Sequence, residues 1–190
     1  MNIKQFWNKA VSYEVYLERG QESIDNPQTD IEKKYQQYYQ LGIQRIRRME
    51  KVYIPDPEQI KLRDQKDFKG KILIISETWC GDASSAIPIA HKFFINNEIR
   101  ITYRDQEPSL IADFLTNGAK SIPILIFIDD NFHVIGHWGP RPAYGKQLFE
   151  KHKNNPSLYT EEQFHNDMQL FYSKDKGHAT IQEILEVIGN

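Results

Sequence analysis

Cysteine is almost missing from this chain: 190 residues carry one, Cys80. A lone cysteine excludes an intramolecular disulfide and points to a reducing compartment or to a deliberately isolated thiol. Long apolar runs are missing as well. No stretch approaches the roughly 18 apolar residues that a membrane span requires, and Met1–Trp7 lacks the apolar core of a secretory signal. Nor is there a surplus of charge of one sign. The net charge is −2, and basic residues are scattered among acidic ones. A dedicated nucleic-acid or membrane-surface protein is therefore not expected. A soluble, cytoplasmic protein is. Metal ligands are equally sparse. His133 and His137 fall at i and i+4 in a strand-like segment, too far apart to share an ion easily, so no metal site is expected.

Aromatic residues, by contrast, are plentiful (Phe 10, Tyr 10, Trp 3), and many recur at helical spacing, which marks core rather than a binding platform. Residues 1–60 read as a helical extension. Phe6, Ala10, Tyr13 and Leu17 form a first stripe that breaks at Gly20. A second helix starts near Thr29-Asp30, with Asp30 as its cap, and carries Ile31, Tyr35, Tyr38, Gly42, Ile46, Met49 and Tyr53. Pro55-Asp56-Pro57 ends it. These helices are expected to pack on the following domain, to pair with each other, or to mediate a homodimer.

From residue 61 the pattern changes. Ile72-Leu73-Ile74-Ile75 reads as a strand buried on both faces, and Ala83-Ser84-Ser85-Ala86-Ile87 opens a helix. Ile99–Arg104 alternates as a strand. Pro108 suits the first turn of a helix running to Asn117-Gly118. Ile124–Ile128 is a further strand, and Asp129-Asp130-Asn131 turns the chain into Phe132-His133-Val134-Ile135. Residues 143–190 hold two or three helices with Leu148, Phe164, Met168, Leu170, Phe171, Ile181, Ile184, Leu185 and Ile188 as apolar positions. The order implies an α/β fold with about four core strands, a 61–190 domain and an enlarged helical end.

Cys80 lies in Trp79-Cys80-Gly81-Asp82-Ala83, between the first strand and its helix. With Pro88 downstream, and with Ser121-Ile122-Pro123 just before the strand at 124, this segment resembles the thioredoxin family. That family's active site runs Trp-Cys-Gly-Pro-Cys, followed by a proline in the helix and a distant cis-proline facing the thiol. The resemblance covers roughly residues 62–190. It implies a thioredoxin-like mixed sheet flanked by helices, with Cys80 as nucleophile and Pro123 shaping a groove. It also exposes departures. Asp82 replaces the family's proline, Ala83 its resolving cysteine, and Ile74 the buried acid that assists resolution.

The remaining chemistry is single-thiol chemistry. A helix N-terminus favours the thiolate at Cys80, whereas the Asp82 carboxylate opposes it. Asp82 either starts the helix or acts as a proton acceptor beside the thiol. Trp79 covers the thiol's flank or is structural. Gly81 and Ile122 line the groove, where the Ile122 backbone can pair with an extended ligand. Arg141, in Trp138-Gly139-Pro140-Arg141-Pro142, either binds a substrate carboxylate, offsets Asp82, or makes a structural salt bridge with Asp105 or Glu77. The expected function is thiol–disulfide exchange through Cys80 with a thiol- or disulfide-bearing small molecule or protein. No cofactor is required. An external thiol such as glutathione would release the mixed disulfide. The alternative is a non-catalytic module that binds through the groove beside Pro123.

Overall fold

The four apolar runs build a single sheet. The computed structural model describes residues 2–188 and orders the strands β2-β1-β3-β4. They are β1 (Lys71–Ser76), β2 (Ile99–Tyr103), β3 (Ile124–Ile128) and β4 (Val134–Trp138). β1 runs parallel to β2 and antiparallel to β3, which pairs antiparallel with β4. The central strands are buried over nearly their whole length. This is why they read as continuous Ile/Leu/Phe runs rather than as an alternating pattern. β4, at the edge, buries only Trp138. Its strand begins later than Phe132, because Asp129 accepts the N–H groups of Asn131 and His133 and holds 129–133 as a turn, with Phe132 at φ 67°.

Before the sheet come α1 (Ile3–Lys9), α2 (Tyr13–Asp25), α3 (Asp30–Val52) and α4 (Pro57–Lys66). The first expected helix is thus two. Val11 leaves the helical path and exchanges hydrogen bonds with Ile101 of β2 in an isolated antiparallel bridge. Gly20 does not end a helix. It lies buried inside α2, where a Cβ would collide with the Thr78 side chain. The cap of α3 lies one residue before the expected one. Thr29 caps the helix in a capping box with Glu32, each satisfying the other's backbone N–H. Its buried stripe is Tyr39, Gly42, Ile43, Ile46 and Met49, whereas Ile31 and Tyr38 are exposed. α4, which no apolar stripe announces, is started by Asp56 and Pro57.

After β1, α5 (Ala83–Phe93) carries Pro88 within it. The expected helix at 108–118 is only a 3-10 turn, Leu110–Asp113. Asn117 and Gly118 both have positive φ, but they form the tight turn of a Thr116–Ala119 bridge rather than a helix cap. Three helices close the chain: α6 (Ala143–Asn154), α7 (Glu161–Asp175) and α8 (His178–Val187). α8 packs on β4, α4 and α5. Its Ile181, Ile184 and Leu185 join the sheet's core, as do Trp7, Tyr16, Ile43 and Ile46 of the N-terminal helices. α6 and α7 differ. Leu148, Tyr159, Phe164, Met168 and Tyr172 form a small cluster of their own, and Leu170 is exposed. No helix among the described residues is long and apolar enough to cross a membrane.

Candidate functional site around Cys80

β1 ends at Ser76, and the chain turns through Glu77–Asp82 before α5 begins. Cys80 is placed by its own backbone. Its N–H donates to the Glu77 carbonyl, and its carbonyl accepts the Ser84 N–H. The side chain is 9% exposed, and its Sγ donates to the Ile122 carbonyl oxygen at 3.4 Å. The Ile122–Pro123 bond is cis. Gly139 fits beside it because any Cβ there would strike the Pro123 carbonyl, and Gly139 sits at φ 139°. Cys80, Ile122 and Pro123 therefore meet at one end of the sheet.

Of the two influences expected at Cys80, the helix N-terminus favouring the thiolate and Asp82 opposing it, the first does not prevail in this conformation. Burial pushes the Cys80 pKa up to about 12. The Asp82 carboxylate raises it further, while the N–H groups of Ala83 and Asp82 and the Arg141 guanidinium pull the other way without prevailing. Both the direction of this shift and the hydrogen bond to the Ile122 carbonyl favour the neutral thiol.

Asp82 occupies the N-cap position of α5 but makes no side-chain capping bond. Its carboxylate turns instead toward the C-terminal helices. Oδ2 accepts Arg141 Nε at 2.8 Å and pairs with Arg141 Nη2 at 2.7 Å, and Oδ1 accepts the Tyr172 hydroxyl at 2.8 Å. Arg141 thus pairs with neither Asp105 nor Glu77. Asp105 is held by Arg104, and Glu77 accepts the Asp105 N–H. The Arg141 guanidinium also lies over the rings of Phe149 and Phe164, at 4.9 and 5.5 Å. Burial and Asp82 together raise Tyr172 well above the ordinary phenol range, so it donates as a neutral hydroxyl.

Trp79 is occupied on its own account. It stacks on Tyr35 of α3 at 5.2 Å and 17°, and the Arg104 guanidinium lies 4.8 Å from its ring centre. Gly81 is the open point of the turn. A Cβ there would stand 3.3 Å from Arg45 Nη1 and 3.8 Å from Gln169 Nε2. Arg45 makes no salt bridge or hydrogen bond among the described residues. Partial burial lowers its pKa, against the pull of Asp82. Ala83, at the resolving position, is fully buried, as is Ile74.

Neither Tyr172 nor Arg45 was legible as a site residue. Tyr172 falls on the apolar stripe of α7, four residues after Met168, and reads as core. Arg45 is one of several cations on α3. The described residues contain no gathering of three or more His, Cys, Asp or Glu side chains suited to a metal; His133 bonds Asp129, and His137 packs edge-on against Phe114.

The order of elements, the thiol at the β1–α5 turn and the proline opposite it coincide with a family match. A family model described as Thioredoxin (Thioredoxin_9) matches residues 28–153. The chain belongs to the thioredoxin family. The match takes in α3, part of what the sequence set apart as an extension, and stops within α6. No curated protein sequence matches the chain. Among solved structures, a protein of unknown function from Pseudomonas aeruginosa is similar, at 13% identity with a TM-score of 0.61 over 96% of this chain and 94% of its own. An HIV epitope-scaffold is similar at 13% identity, TM-score 0.62, over 97% and 96%. Both likenesses concern the fold.

Proposed function

We propose that this thioredoxin-family chain is a binding module that keeps the redox end of its fold but does not turn over through Cys80. One observation carries this reading: the thiol is buried and hydrogen-bonded to the Ile122 carbonyl. A thiol pKa pushed up to about 12 leaves little thiolate at neutral pH. The greater basicity returns only part of the lost reactivity. Ala83 offers no resolving thiol. The ligand's place is Gly81, between the unpartnered Arg45 guanidinium and the Gln169 amide, two donors that suit an anionic group such as a carboxylate.

A second reading is favoured by the backbone. The N–H groups of Asp82 and Ala83 are directed at the sulfur and favour its anion. If Arg141 and Tyr172 withdraw, these donors would support a thiolate capable of monothiol exchange with glutathione or a similar thiol.

The decisive measurement is turnover of a glutathione mixed disulfide with excess glutathione, comparing wild type with Cys80→Ser, alongside the pH profile of iodoacetamide alkylation. The binding reading expects no Cys80-dependent turnover and alkylation that still accelerates at pH 10. A plateau below pH 9 together with Cys80-dependent turnover would overturn it and establish exchange.

A further inference from the structure

A ladder of rings leads outward from the turn that carries Cys80, and the Cys80 reading makes no use of it. Trp79 stacks on Tyr35 at 5.2 Å and 17°, and Tyr35 meets Tyr38 at 5.7 Å. Tyr38 is 50% exposed, so the ladder runs from the residue beside the thiol to solvent. Packing alone accounts for rings at these separations. The placing of charge along them carries more. Arg104 lies over Trp79 at 4.8 Å and Lys34 over Tyr35 at 5.6 Å, whereas no cation among the described residues lies over Tyr38. A cation over a ring is attracted by the neutral π-system and repels positive charge placed on it. Both cations therefore drive the charge of an oxidised ring outward, toward Tyr38. Tyr38 is also the ring whose phenolic proton can reach water. The neighbouring pair of Tyr16 and Tyr103, at 6.0 Å, has no such exit, since both hydroxyls are buried. The other tryptophans are withdrawn as well. Trp7 and Trp138 are each 4% exposed, whereas Trp79 is half-buried and is the indole that a dissolved oxidant meets.

We infer that Trp79, Tyr35 and Tyr38 form a conduit that carries one-electron oxidation from the thiol turn to the surface. The oxidant is a small radical centred on nitrogen or oxygen, which takes one electron from the Trp79 indole and leaves as its anion. Trp79 recovers that electron from Tyr35, and Tyr35 recovers it from Tyr38. The Tyr38 hydroxyl releases its proton to water and remains as a neutral phenoxyl radical. Each inner ring ends as it began. The net change is one electron to the oxidant and one proton to water, both from Tyr38. A tyrosine is a fit terminus because a phenol that sheds its proton to water is oxidised at least as readily as an indole. The oxidation thus ends in solvent and not at Cys80, the next residue in the chain. The conduit is independent of whether Cys80 exchanges disulfides.

The test is pulse radiolysis of the intact chain in azide solution, with the azide radical as oxidant and the indolyl and phenoxyl absorbances followed together. The indolyl signal should decay as a phenoxyl signal grows, at one rate that does not depend on protein concentration. Trp79→Phe keeps a ring in the stack and should remove most of the initial indolyl signal. Tyr35→Phe keeps the packing but supplies a ring too hard to oxidise, so the coupled growth of phenoxyl should be lost. Tyr38→Phe removes the terminus, leaving the charge shared between Trp79 and Tyr35, and part of the indolyl signal should persist. An initial indolyl signal unchanged in Trp79→Phe, a growth rate that scales with protein concentration, or undiminished coupled growth in Tyr35→Phe would each overturn the inference.

Discussion

The two helical additions to this fold are attached in different ways. At the N-terminus, Trp7, Tyr16, Ile43 and Ile46 enter the same apolar cluster as the sheet and α5. At the other end, α6 and α7 keep a small cluster of five buried residues to themselves. They reach the thiol turn through Asp82, held by Arg141 and Tyr172, and they reach α3 through Arg48 and Ser173. Apolar burial is non-directional and is lost only when the whole interface opens. A polar contact is directional and fails when one group is changed. The first arrangement ties α2 and α3 into the domain's core, while the second joins α6 and α7 to it chiefly through polar contacts, which would let them open first.

The largest expected effect tests the first half of that contrast. Ile46 is fully buried in α3. Ile46→Ala should lower global stability by about 3–4 kcal/mol, with one cooperative urea transition, because it leaves a cavity in the shared core. If the N-terminal helices unfolded in a separate early transition instead, the common core would be refuted.

The same side of the molecule should dominate the pH dependence of stability in the mildly acidic range. In the folded protein Glu77 keeps its proton to about pH 7, against an ordinary carboxyl value of 4.5. Between these values the folded state holds the extra proton. The stability this group contributes is thus complete below about pH 4.5, declines as pH rises toward 7, and is level above. The span is on the order of 3 kcal/mol. Glu77→Gln should flatten that part of the curve measured by urea denaturation. An unchanged slope would mean that Glu77 is ionised throughout.

Much of this architecture was legible in the residues, and the illegible parts have physical causes. The central strands show as unbroken apolar runs because both faces are covered, and Cys80 and Pro123 stand at strand ends that such runs locate. The break at Val11 was hidden because one residue bridging to Ile101 leaves no period. Gly20 misled because a glycine that ends a helix and one that admits a close neighbour look alike in sequence. The same limit hid the thiol's state. A helix N-terminus near Cys80 favoured a thiolate, but the side chain is buried beside the carbonyl of Ile122, 42 residues away in sequence, which no local pattern announces.

The opening of α6 and α7 should be a smaller effect than loss of core. Asp82→Asn retains an acceptor for the Tyr172 hydroxyl but leaves Arg141 without its charge partner. Both side chains of that pair are mostly buried, at 15% and 12% exposure. A cost of about 2 kcal/mol follows, below the range for a fully buried pair because some solvent reaches it. Hydrogen exchange should speed up in α7 while β1 and β3 stay protected. Cys80 alkylation should accelerate as well, since Asp82 is the second largest cause of its raised pKa. Equal loss of protection in α7 and β1 would show that α7 and the core open together.

The finest test lies within α7 itself. Thr160 caps α7 in a capping box: its side chain accepts the Gln163 N–H at 3.2 Å, and Gln163 Oε1 accepts the Thr160 N–H at 2.8 Å. Thr160→Ala removes one half of this reciprocal pair and should cost about 1 kcal/mol. Where that cost appears separates the two modes of attachment. If α6 and α7 open as a local unit, hydrogen exchange in α7 accelerates about fivefold while the global urea midpoint hardly moves, because the cap is lost only from the unit that opens first. If α6 and α7 were fused to the core as α3 is, the same loss would move the global midpoint and leave local exchange in step with it.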